Sequence, residues 1–115
     1  MMEASVNVRG IDMWDEIIAD EWFQKSFRVF YAMQEWGAKI NGDTGQNSEL
    51  ELGDMLAEDT RWTTLNDTEK QRVGMFIAHN FPQLAAMCTL PIYIVLDAGR
   101  TEERGKKGTY RMAWY

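Results

Sequence analysis

Apolar and polar positions divide the chain into segments of different period. Val6 and Val8 alternate with Asn7 and Arg9, which predicts a short opening strand closed by Gly10. From Met13 to Trp36 the spacing is helical. Trp14, Ile17, Ile18, Trp22, Val29, Met33 and Trp36 fall largely on one stripe, and Phe23, Phe27, Phe30 and Tyr31 widen it towards an all-round apolar surface. Asp12 is placed to cap this helix, with Asp15 and Glu16 in a first turn favoured by the helix dipole. Such a helix either packs on several sides or presents part of its surface to a partner. A break near Asp20 and a strand over Phe27–Tyr31 are the alternatives.

Residues 41–47 read as a loop, with Gly42, Asp43, Gly45 and Asn47 supplying turn chemistry. Ser48 with Glu51, and Asn66 with Glu69, have the spacing of capping boxes. The first predicts a short helix through Leu52, Met55 and Leu56 to about Asp59; the second predicts a longer one to Phe81-Pro82. Thr60 to Leu65 is expected to link them, and a turn of helix over Gln83–Met87 follows. Ile92 to Leu96 is rich in β-branched residues and predicts a buried strand. Thr109 to Tyr115 alternates, with Tyr110, Met112 and Trp114 on one face and Arg111 and Ala113 on the other. Gly99, Gly105 and Gly108 lie between the two strands, so the end of the chain reads as a hairpin. The expected class is α+β: a helical N-terminal part with a C-terminal β-hairpin, in one compact domain over residues 1–115.

Several function classes drop out on composition. The 115 residues are 45% hydrophobic and include five Trp and five Phe, too aromatic for a disordered chain. A lone Cys88 forms no internal disulfide, and neither a signal peptide nor a bilayer-length apolar run is evident, so a cytoplasmic protein is expected. The net charge of −6 is unevenly spread. Residues 1–60 carry four basic against thirteen acidic side chains, whereas residues 100–115 carry five basic against two acidic. The molecule has an acidic front and a basic end.

Chemistry for catalysis is sparse. His79 and Cys88 are the sole histidine and cysteine, and they read as a helix-end histidine and a small buried thiol. No paired metal-ligand spacing and no phosphate-binding glycine loop occurs, so neither cofactor nor metal is expected, and no enzyme. Binding is the better-supported role. Asp12, Asp15, Glu16, Asp20 and Glu21, with Glu35, Glu49, Glu51, Asp54, Glu58 and Asp59 beyond them, are candidates for an extended negative face. Trp22, Phe23, Tyr31 and Trp36 are its candidate aromatic anchors, since Trp and Tyr dominate interface energetics. Such a face can occupy the phosphate track of a nucleic-acid-handling protein and use its charge for fast encounter. In size and charge the chain resembles small acidic proteins of mobile elements, phage included, that block host defence nucleases; that resemblance implies an anti-defence inhibitor or adaptor. The alternative is that the negative charge serves solubility alone.

A second resemblance rests on Asp54-Met55-Leu56, Trp62 to Leu65, Glu69-Lys70, Val73-Gly74 with Phe76, and Thr109-Tyr110-Arg111. This pattern, with the order short helix, second helix, hairpin, resembles small winged-helix-like domains of bacteria and mobile elements over about residues 50–115. It implies nucleic-acid binding through the hairpin 97–111, whose cations Arg100, Arg104, Lys106, Lys107 and Arg111 would lie along phosphates. Against it, the helix from Asn66 offers Lys70 and Arg72 beside Asp67 and Glu69, a poor set of donors for base edges.

Overall fold

The computed structural model describes residues 20–40, 49–97, 101 and 108–113. Among them the order is α1 (Glu21–Ile40), α2 (Leu52–Met55), α3 (Thr60–Thr63), α4 (Asp67–His79), α5 (Phe81–Met87), β1 (Ile94–Leu96) and β2 (Tyr110–Met112). This is the α+β class with a C-terminal antiparallel hairpin, as the periodicity predicts. The predicted opening strand, the Asp12 cap and Trp14, Ile17, Ile18 and Trp114 lie outside the described residues.

Helix α1 organises the rest. Asp20 starts it: its carboxylate accepts from Trp22 N at 2.7 Å and Phe23 N at 3.2 Å, satisfying two amides of the first turn. The segment Phe27–Tyr31 is helical rather than a strand. Phe23, Ser26, Val29, Phe30, Ala32, Met33, Gln34 and Gly37 are buried, leaving Gln24, Arg28, Glu35 and Lys39 on a narrow solvent stripe. The breadth of the buried arc explains the near-continuous apolar pattern, because α1 packs against α2, α3, α4 and β1. Edge-on aromatic contacts tie the layers: Phe23 meets Phe76 of α4 at 6.0 Å and Phe30 meets Phe81 of α5 at 5.2 Å.

The capping signals fare differently. At Asn66 the box forms in both directions: Glu69 N donates to Asn66 Oδ1 at 2.8 Å and Asn66 N donates to Glu69 Oε1 at 3.0 Å. The first box does not set the start of α2. Ser48 lies outside the described residues, and Glu51, expected in the third helical position, sits at the N-cap with no side-chain cap bond. Nor does that helix run to Asp59. Asp59 instead caps a further helix, α3, within the segment expected to be a link, accepting from Arg61 N at 2.9 Å. Helix α5 carries Pro82 in its first turn, where a missing N–H costs nothing.

In the hairpin, Ile94 pairs with Met112, Val95 with Arg111 and Leu96 with Tyr110. Tyr110 and Met112 are buried and Arg111 is exposed, as the alternation predicts. Leu50 makes a bridge on the far side of β2, its N and O each 2.8 Å from the complementary group of Tyr110. Strand β2 is therefore paired along both edges at Tyr110.

Tyr110 is fully buried, and its hydroxyl has no hydrogen-bond partner among the described residues. Burial pushes the phenol above its ordinary value of 10.0. Tyr110→Phe is expected to stabilise the fold by roughly 1 kcal/mol, because it removes a desolvated hydroxyl that gains nothing in return. The substitution also changes the alkaline limb. The unfolded phenol ionises above pH 10.0 while the folded one stays neutral, so stability falls as pH rises past that point. Urea titrations across that range should show a shallower decline for the variant.

Candidate functional site

The described part of the molecule carries eleven acidic and seven basic side chains, and geometry decides which remain available to a partner. Asp12, Asp15 and Glu16 lie outside the described residues, as do Arg100, Arg104, Lys106 and Lys107. Of the other predicted acidic residues, Asp20 is occupied as the α1 cap. Glu21 is exposed and pairs with Lys25 at 3.3 Å. Lys25 also reaches Glu69 at 3.0 Å, joining the start of α1 to the capping box of α4. These contacts, Glu69 first, raise the Lys25 pKa, while the Asn66 backbone amide and then Lys25 lower that of Glu69.

The predicted aromatic anchors separate. Phe23 is 3% exposed and belongs to the core, so it is unavailable to a partner; its place on the widened stripe reflects packing against α4. Trp22 is half-buried beneath two cations, with Lys25 Nζ 4.7 Å and Arg72 Cζ 4.2 Å from its ring. Tyr31 is half-buried with its hydroxyl against that of Thr89, and it accepts from Thr89 N at 3.0 Å. Trp36 is half-buried and stands at the edge of a recess.

That recess, about 310 Å³, has Ala32, Met55 and Leu56 in its lining and Glu35, Trp36, Lys39, Glu58 and Asp59 around it. Arg61 holds one side. Its Nε and one terminal nitrogen fork onto Asp59 at 3.1 and 2.8 Å, and the same terminal nitrogen reaches Glu35 at 2.5 Å. The Arg61 side-chain bonds hold the Asp59 carboxyl below its ordinary range, and Asp59 chiefly, then Glu35, raise the guanidinium. Glu58 is exposed beside this cluster, and Asp54 is exposed on α2. Glu35, Glu58 and Asp59 thus stand around Trp36, with Glu35 and Asp59 held by Arg61.

A second, larger groove of about 530 Å³ lies between α2–α3 and α4, with Leu52, Trp62, Gly74 and Met75 among its lining residues. It was not foreseen. The signal was Met75, an apolar residue off the Val73, Phe76 and Ile77 stripe. It is 46% exposed, the sole exposed large hydrophobic among the described residues.

The candidate chemistry of the sequence does not converge. His79 ends α4 and is exposed; Cys88 caps α5 and is half-buried, not buried as expected. Neither lines the two recesses. Among the described residues, no group of three or more His, Cys, Asp or Glu is placed to hold a metal, and no helix is long and apolar enough to cross a membrane. Arg111 is exposed on β2 and donates to the Met112 carbonyl at 3.3 Å. Comparison with known proteins finds no matching family model, no matching curated protein and no matching solved structure.

Proposed function

We propose that the chain is a non-enzymatic, cytoplasmic protein-interaction module: a small acidic inhibitor or adaptor, of the anti-defence type carried by mobile elements, that docks on a nucleic-acid-handling protein complex. The observation that carries this reading is the disposition of charge. Lys25 and Arg61 are held by carboxylates, and Lys70 and Arg72 lie over Trp62 and Trp22. Asp54, Glu58 and Asp67 are exposed with no ion-pair partner among the described residues, as are the cations Arg28, Lys39 and Arg111. Exposed Glu58, on the rim of the recess beside half-buried Trp36, fits the steering and anchoring roles of a charged interface.

Affinity capture from cells that naturally make the protein, with and without nuclease, tests this. A protein partner that survives nuclease is expected, and the pair Asp54→Lys with Glu58→Lys should weaken its capture by about tenfold through lost electrostatic attraction. Recovery of nucleic acid alone, with steep salt dependence, would overturn the reading. The second reading is a winged-helix nucleic-acid binder acting through 97–111. It is favoured by the order of α2, α4 and hairpin, although α3 and α5 intervene. It predicts that Arg111→Glu abolishes capture and that Asp54 and Glu58 are neutral.

A further inference from the structure

The solvent face of α4 carries one residue that core packing does not account for. Val73 and Ile77 are buried, whereas Asp67, Gln71 and Met75 follow one another at helical spacing on the exposed side. Two of these three are polar, and the third is a thioether, 46% exposed. The other described methionines are placed differently: Met33, Met55 and Met112 are 0%, 4% and 4% exposed, and Met87 is half-buried.

A thioether sulfur is a two-electron reductant towards peroxides. Its lone pair attacks one peroxide oxygen, an S–O bond forms, the O–O bond breaks, and the second oxygen leaves as water after proton transfer. The methionine becomes its sulfoxide while the peroxide is reduced. Attack needs solvent access to the sulfur. Met75 can therefore react from the folded state, whereas Met33, Met55 and Met112 wait for the fold to open.

Position also decides what the added oxygen does. A helical side chain lies back over the turn that precedes its own Cα, which brings Met75 towards Gln71, four residues earlier. Both line the 530 Å³ groove, with Trp62 also in its lining. The Gln71 amide offers the sulfoxide a donor on the same turn. A sulfoxide in the core would instead set a polar group among apolar side chains and disrupt their packing.

We propose that Met75 is a site of reversible oxidation by peroxide, which turns one wall of the groove from apolar to polar while the fold stays intact. This chemistry belongs to the free chain and holds whether or not the protein-interaction reading does.

The full chain is treated with hydrogen peroxide and followed by peptide mass spectrometry, with the tryptophan indoles read in parallel by NMR. Met75 is expected to form sulfoxide at least about tenfold faster than Met33, Met55 and Met112. The urea midpoint should stay unchanged while the Trp62 indole resonance moves. The two methionine sulfoxide reductases, one for each epimer, should restore the thioether and the original spectrum. In Met75→Leu, which keeps an apolar side chain of similar size, the Trp62 response to peroxide should vanish. Equal rates at Met75 and the buried methionines would overturn the proposal, because exposure would then not select the site. A fall in the urea midpoint that Met75→Leu prevents would overturn it too, since oxidation there would unfold the chain. So would a Trp62 response that persists in Met75→Leu, or one that the reductases fail to reverse.

Discussion

Gln34→Met is expected to cost about 3 to 5 kcal/mol, a large share of the roughly 5–15 kcal/mol available to a domain. Gln34 is fully buried near the middle of α1, where a polar residue has no water to turn to. Its Oε1 accepts from Tyr93 N at 2.7 Å and Ile94 N at 2.8 Å, and its Nε2 donates to Ile94 O at 2.9 Å. The amide thus pairs with the outer edge of β1 as a neighbouring strand would. A helix cannot offer that edge its own backbone, because its interior N–H and C=O groups are already used. A side-chain amide carries a peptide-like acceptor and donor, so one glutamine closes three backbone groups, the two of Ile94 buried and that of Tyr93 half-buried.

Methionine keeps the length and apolar packing of Gln34 and removes every hydrogen bond, so the loss measures the desolvated backbone rather than a cavity. Each unpaired group costs about 1–3 kcal/mol, some of which local water entry recovers. Urea unfolding gives the total. Hydrogen exchange gives the location, with protection expected to fall first at the Tyr93 and Ile94 amides. A loss below about 1 kcal/mol, or unchanged exchange there, would mean that the strand edge is satisfied in another way. The opened edge should also raise the tendency to associate, since unpaired strand edges template pairing with another chain.

Gln34 also marks where local sequence stops being informative. Asn66 with Glu69 was readable because both halves of a capping box lie within one turn and need nothing else. The hairpin was readable because burial of Tyr110 and Met112 follows a period of two. Helix α3 was missed because Asp59, read as the end of one helix, caps the next, and its partner Arg61 is fixed partly by Glu35 from a distant segment. Phe23 and Trp36 both read as apolar candidates for an interface, yet Phe23 faces Phe76 whereas Trp36 borders an open recess, and only the placement of α4 and α2 tells them apart. The acidic excess of the front half was legible as charge. Its division into carboxylates spent on Lys25 and Arg61 and carboxylates left outward depends on which cations reach them.

Two helical glycines put the same question to opposite answers. Gly→Ala inside a helix ordinarily stabilises by about 0.5–1 kcal/mol, through lower backbone entropy in the unfolded chain. At Gly74 nothing opposes this, because the new Cβ meets only Leu52 Cδ1 at 3.8 Å, an ordinary contact. Gly74→Ala should therefore raise stability by that amount. At Gly37 the same methyl would stand 2.7 Å from Tyr93 Cβ and 2.9 Å from Ile94 Cγ1. Tyr93 Cβ is fixed to the backbone, so relief requires β1 to move away from α1, and overpacking of this kind costs about 1–3 kcal/mol. Gly37→Ala should be destabilising by about 1–2 kcal/mol net, with Gly37→Val worse. Urea midpoints should therefore fall in the order Gly37→Ala, native, Gly74→Ala; a gain at Gly37 would mean that α1 and β1 do not approach this closely. The displaced strand is the one that Gln34 holds, so the Gly37→Ala effect should shrink in a Gln34→Met background. Two substitutions that each release the same contact cannot both lose it in full.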